Sequence, residues 1–112
     1  MLLAPGTGET VGSPRTTAGG RGLSVVRRRV LVEGDVQGVF FRDECRKQAE
    51  RAGVAGSARN RSDGRVEVVL EGDEGPVERL VEWCRQGSSR SEVTGVEVTE
   101  EEPEGLSGFD AR

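Results

Sequence analysis

Histidine is missing from the chain altogether. With it go the commonest metal ligand and the commonest general base, so any chemistry at neutral pH proceeds without an imidazole. Cysteine is scarce. Cys45 and Cys84 are too few and too isolated for a zinc site or a disulfide framework, and each falls on the apolar side of a predicted helix. They read as packed, reduced thiols of a cytoplasmic protein, with a regulatory disulfide as the alternative. Lysine occurs once: arginine supplies all of the 16 basic side chains except Lys47, a bias that suggests a GC-rich coding sequence. No apolar run approaches the roughly 18 residues of a membrane span. Met1-Leu2-Leu3-Ala4 meets Pro5-Gly6 at once, which leaves no apolar stretch of signal-peptide length. Neither a membrane nor a secretory route is expected.

What is present fits one small domain behind a polar leader, since the chain has 112 residues and a single core takes up roughly 100–200. Residues 1–24 are rich in glycine, proline, serine and threonine and have no hydrophobic period. They cannot bury enough surface to fold, so we read them as a disordered leader or as the product of a misplaced start codon, with the domain at 25–112. A net charge of −4 argues against general affinity for nucleic acid. The acids gather late, at Glu97, Glu100, Glu101, Glu102 and Glu104. Arginines 27–29, 42, 59, 61 and 65 lie around two glycine-containing stretches. A locally positive site for a small anionic substrate is therefore expected.

The chain alternates between periods of two and of 3.6 residues. From Arg28, Val30 and Val32 alternate with Arg29, Leu31 and Glu33 as in a half-covered strand. Phe41, Cys45, Ala49 and Ala52 then recur at helical spacing up to Gly53, predicting a helix from about 41 to 52 whose other face is charged and solvated. Asp63-Gly64 predicts a two-residue hairpin with both positions at positive φ, pairing 54–61 with 65–72. In the returning strand Val66, Val68 and Leu70 face one way and Glu67, Val69 and Glu71 the other, and this strand is expected near the middle of the sheet. A second helix follows from about 75 to 86, with Val77, Leu80, Val81 and Cys84 on its buried stripe and Trp83 packing beside it. Val96 and Val98 mark a fourth strand, and residues 108–112 a short fifth. The order strand, helix, strand, strand, helix, strand predicts an α+β, ferredoxin-like βαββαβ sandwich, its antiparallel sheet carrying both helices on one face. That fold has many uses, so the function has to come from a site.

The candidate site begins where the first strand ends. Gly34-Asp35-Val36-Gln37-Gly38-Val39-Phe40-Phe41-Arg42 brings a glycine-punctuated loop into a helix start, where unpaired N–H groups and the positive end of the dipole favour an anion. Gly38 allows close backbone approach, and Arg42 adds a planar, permanently charged fork suited to phosphate. Two glycines and an arginine also describe a plain tight turn. Asp35 and Asp43 do not make a metal site, because nothing nearby completes a coordination shell.

Val32-Glu33-Gly34-Asp35-Val36-Gln37-Gly38-Val39-Phe40-Phe41-Arg42 resembles the signature of the acylphosphatase family. Gly56-Ser57-Ala58-Arg59-Asn60-Arg61-Ser62-Asp63-Gly64-Arg65-Val66-Glu67 resembles its second motif, in the family's order and separation, and the resemblance runs from about Arg28 to Arg112. It implies hydrolysis of a carboxyl phosphate to carboxylate and inorganic phosphate, without cofactor or metal, in a cytoplasmic monomer. It also implies that Arg42 and the main-chain N–H groups of Gln37, Gly38, Val39, Phe40 and Phe41 hold the phosphoryl group, while Asn60 positions the attacking water. Arg59, Arg61 and Arg65 are expected as solvated strand ends. Two departures stand out. The family often has Gly-Trp-Val where this chain has Gly56-Ser57-Ala58, which predicts looser packing of the strand carrying Asn60, and Phe40 occupies a position that often holds a smaller residue. The competing reading is a non-catalytic ferredoxin-like module that binds a phosphorylated ligand or partner. RNA binding on the open sheet face has little support, for want of an aromatic platform or a positive charge.

Overall fold

The structure is a computed structural model that describes residues 25–111. The expected leader lies outside the described residues. The element order is β1 (Val25–Asp35), α1 (Val39–Ala52), β2 (Ala55–Asn60), β3 (Val66–Asp73), α2 (Glu74–Gln86), β4 (Glu92–Glu101) and β5 (Phe109–Ala111). The strands form one sheet in the order β4-β1-β3-β2-β5. The expected ferredoxin-like βαββαβ sandwich is therefore what the chain adopts, with β3 central between β1 and β2.

The core lies between sheet and helices. Val30 and Val32 of β1, Ala58 of β2 and Val66, Val68 and Leu70 of β3 meet Phe41, Cys45 and Ala49 of α1 and Val77, Leu80, Val81 and Cys84 of α2. Trp83 closes one side, its ring 5.2 Å from that of Phe41. Both cysteines are free and buried. Hydrogen bonding with Cys45, together with burial, pushes the Cys84 thiol well above its ordinary range, so it stays protonated as a packing group. The charged face of α1 carries Arg46 bonded to Asp43 and Glu50, the i,i+3 and i,i+4 pairs of a solvated helix.

The open face of the sheet differs from the expectation of a simple solvated surface. Glu67 and Glu71 are 5% and 4% exposed, and Arg27 is 5% exposed. Arg27 bonds Glu71 and Glu101, Arg29 bonds Glu67 and Glu101, and Arg59 and Arg61 both reach Glu67. Arg59 and Arg61 remain solvated, their side chains 51% and 36% exposed, but each is also held in an ion pair. Arg65 is bound to Asp63 as well. Nor is the group of arginines a free positive field, because most of it is matched by carboxylates on the face away from the helices. This network also explains why β1 starts three residues earlier than its apolar alternation indicates: Arg27 and Arg29 occupy pleat positions that hydrophobic side chains would otherwise fill.

Two further corrections concern backbone. The hairpin loop has three residues, not two. Arg61 N–H bonds the Arg65 carbonyl at 2.8 Å, and Gly64 N–H bonds the Arg61 carbonyl at 3.2 Å with Gly64 at φ 94°. A turn completed by a positive-φ glycine is the usual three-residue solution. The sheet is also not wholly antiparallel, since β5 runs parallel to β2, pairing Gly56 with Phe109 and Ala58 with Ala111. The segment leading into β5 is tied down by Glu71, whose carboxylate accepts the N–H groups of Glu104, Gly105 and Leu106 at 3.0, 2.6 and 3.0 Å.

Burial alone would raise the Glu71 and Glu67 pKa values. For Glu71 the three N–H donors and Arg27 outweigh it, and for Glu67 the neighbouring arginines do, so both lie below the ordinary 4.5. Bonds from Arg29 and Arg27 hold Glu101 down to about 2. These groups bind protons less readily folded than unfolded, so the stability they confer is complete above about pH 4.5 and declines as the pH falls towards about 2. Thermal melts between pH 6 and pH 2.5 should show a Tm that is nearly level to about pH 4.5 and falls continuously below it. A Tm unchanged across that range would contradict the network.

Candidate functional site

The register of β3 brings the two motifs together. Val66 pairs with Val32 on β1 and with Asn60 on β2, so the three residues form one row across the sheet. Directly paired residues share a face. Asn60 therefore follows buried Ala58 on the helix-bearing side, at the sheet end where β1 runs into the loop before α1. Asn60 itself is exposed.

That loop is fastened to the hairpin beyond Asn60. The Gln37 side-chain amide donates to the carbonyls of Arg61 at 2.7 Å and Arg65 at 3.2 Å. The hairpin is braced in turn by Asp63, which accepts the Arg65 N–H at 3.0 Å and bonds the side chains of Arg65 and Arg61. Those bonds, Arg65 foremost, hold the Asp63 carboxyl far below the usual carboxylate range. Gln37 was expected to serve through its main chain; its side chain also fixes how far the loop stands from Asn60.

Gly38 is the N-cap of α1, with φ 142° and ψ 164°. It has no side chain to cap the helix, and no acidic residue stands in the first turn. Val39, Phe40 and Phe41 follow as the first three helical residues, so their N–H groups are those an α-helix leaves without intrahelical partners. A Cβ on Gly38 would meet nothing within 4 Å, so the space in front of this backbone is open. Phe41, 2% exposed, anchors the turn in the core, whereas Phe40 is 52% exposed.

Arg42 leaves this turn towards β5. It lines a cleft of about 320 Å³ with Asp43, Arg46, Phe109, Asp110 and Ala111. Asn60 is not among that cleft's walls; it lies two residues beyond Ala58, the β2 partner of Ala111. The Arg42 Nε–H is buried and, among the described residues, has no hydrogen-bond partner. A buried donor without an acceptor costs about 1–3 kcal/mol, which makes this guanidinium ready for an incoming oxygen. Sequence reasoning missed β5 as a wall beside Arg42, because only the parallel pairing with β2 brings it there.

Two other motif glycines, Gly34 and Gly56, serve packing. A Cβ at Gly34 would lie 2.0 Å from the Glu92 carbonyl oxygen, and one at Gly56 would lie 1.7 Å from that of Val69. Ser57-Ala58 does not interrupt β2, which pairs with β3 without a break from Ala55 to Asn60. No helix among the described residues is long and apolar enough to cross a membrane.

Comparison with known proteins identifies the family. The family profile described as Acylphosphatase matches residues 28–111. The chain is 57% identical over 88 residues to the acylphosphatase of Rubrobacter xylanophilus, covering 77% of this chain and 79% of that protein. It is 51% identical over 90 residues to that of Haloarcula marismortui, covering 80% and 99%. Among solved structures, the crystal structure of acylphosphatase from Bacillus subtilis superposes with a TM-score of 0.74 at 40% identity, covering 78% of this chain and 98% of that one.

The contrast between two loop glycines is testable. Gly34→Ala meets backbone and should lower stability by about 1–3 kcal/mol or more, as over-packing does. Gly38→Ala meets open space and adds only the backbone strain of a side chain at φ 142°, so it should lower Tm less than Gly34→Ala while losing most of the stabilisation that added inorganic phosphate gives the wild type. Thermal melts with and without phosphate separate the two. Equal phosphate stabilisation in wild type and Gly38→Ala would remove Gly38 from the site.

Proposed function

The chain belongs to the acylphosphatase family and is an enzyme that hydrolyses acyl phosphates, and from that premise we propose how its residues divide the work. The phosphoryl group of R–CO–O–PO₃²⁻ rests on the main-chain N–H groups of about Gln37 to Phe41, with the Arg42 guanidinium on its remaining oxygens. Asn60, across the loop fastened by Gln37, orients a water molecule in line with the scissile P–O bond. Attack forms the new P–O bond, the carboxylate leaves with the electron pair of the old one, and the water's proton passes to a phosphate oxygen.

No protein base is needed. Phosphoryl transfer depends on positioning and on stabilising the equatorial oxygens, and a carboxylate is already a good leaving group. An asparagine amide offers an acceptor and donors but takes no proton, which suits it to aiming water. The observation that carries the assignment is the buried, unpartnered Nε–H of Arg42 beside an uncapped helix start. The same reading makes residues 25–112 the catalytic domain of a cytoplasmic monomer that acts on a small-molecule substrate, with neither nucleic acid nor a membrane as partner.

Purified protein should hydrolyse benzoyl phosphate in the presence of a chelator. Arg42→Ala and Asn60→Ala should each lose about 100-fold or more in kcat/KM, the scale on which single oriented donors act, with Tm within a few degrees of wild type. Unchanged rates in both variants would defeat these roles.

A further inference from the structure

The phosphate end of the substrate is fixed by the loop, while the acyl end faces whatever borders it. On one side stands the hairpin held by Gln37. On the other stands the turn between α2 and β4, which abuts the loop because Glu92, the first residue of β4, pairs with Asp35 at the end of β1. This turn has a fixed shape. The Ser88 N–H donates to Ser91 Oγ at 2.8 Å, the two hydroxyls are 3.1 Å apart, and the Ser91 N–H donates to the Ser88 carbonyl at 3.2 Å. Ser88 is buried at 8% exposure, and Gly87 turns the chain at φ 79°.

Arg90 sits on this turn, and its guanidinium carbon lies 4.5 Å from the centroid of the Phe40 ring. Phe40 is a residue of the phosphate loop's first helical turn. The ring therefore holds a cation against a residue of the cradle, by attraction to its π face. Unlike Arg27, Arg29, Arg59 and Arg61, Arg90 has no carboxylate within ion-pair distance among the described residues. Planar guanidinium donors beyond the ring remain available to a ligand carboxylate.

The geometry points to Arg90, seated on Phe40, as the recognition group for a second negative charge on the acyl part, so that the preferred substrates are acyl phosphates bearing a carboxylate on the acyl chain. This rests on the loop holding the phosphoryl group as proposed above. Phe40, a bulky choice at its position, serves as the platform that keeps Arg90 at the mouth of the site.

Succinyl phosphate and the methyl ester of its free carboxyl group, neutral at the acyl end, test the inference with nearly the same shape and one charge of difference. Wild type should show a kcat/KM about three- to tenfold higher for succinyl phosphate, the range of a partly exposed charge-assisted contact, and the preference should shrink as salt is raised. Arg90→Gln should bring the two substrates to the same kcat/KM, and Arg90→Glu should reverse their order. The inference is overturned if wild type turns over both substrates equally, or if Arg90→Gln lowers both in proportion and leaves the preference intact. Failure of wild type to hydrolyse either substrate would instead overturn the phosphate-loop reading, and the inference with it.

Discussion

The pairing register of β3 is the constraint on which the site depends. One residue, Val66, faces Val32 on one neighbour and Asn60 on the other, and this fixes the exit of β1 and the end of β2 two strand spacings apart, on one edge of one face. A slip of one residue at either ladder would turn Asn60 to the far side of the sheet and expose Val66 or Val32. The hydrophobic core and the site are therefore enforced by the same alternation. Gln37 adds a local fastening, its amide bridging the loop to carbonyls just past Asn60, so that the cradle is tied directly to the hairpin that follows that residue.

The second organising feature is where charge is matched and where it is not. On the open face, arginines and glutamates satisfy one another through several strands, and Glu71 also receives the N–H groups of the segment entering β5. Buried ion pairs of this kind are weak evidence for net stability. Their effect here is geometric: they fix the strap that leads to Phe109–Ala111, one wall of the Arg42 cleft. At the loop end the pattern is the opposite. Arg42 keeps a buried donor without a partner, and the first turn of α1 lacks both a side-chain cap and an acidic residue. A buried, unpartnered guanidinium N–H thus stands next to the uncapped helix start of the first motif, in a chain that is acidic overall.

Much of the fold was legible because its elements obey simple periods. Val66, Val68 and Leu70 alternate cleanly and do form the central strand, and the stripe Val77, Leu80, Val81 and Cys84 is the buried face of α2. The misreadings have physical causes. Arg27 is a buried charged side chain and Arg29 a half-buried one, and no periodicity rule anticipates partners 38 to 74 residues away. The Asp63-Gly64 turn holds three residues because Arg61 and Arg65 close it, Asp63 bonds back to the Arg65 N–H and Gly64 takes a positive φ. The motifs placed Arg42 at a helix start and Asn60 at a strand end. Distant pairing alone determines that β5 lies beside Arg42 and that Arg90 rests on Phe40.

The account stands on Arg42 and the loop amides gripping one phosphoryl group. Its most direct test is to follow the Arg42 side-chain Nε–H and the main-chain N–H signals of residues 37–41 by ¹⁵N NMR while inorganic phosphate is added. A common saturable shift of these signals with one dissociation constant, lost in Gly38→Ala, is the expected result. Phosphate that leaves the Arg42 Nε–H unmoved, or perturbs only residues away from the loop, would contradict it.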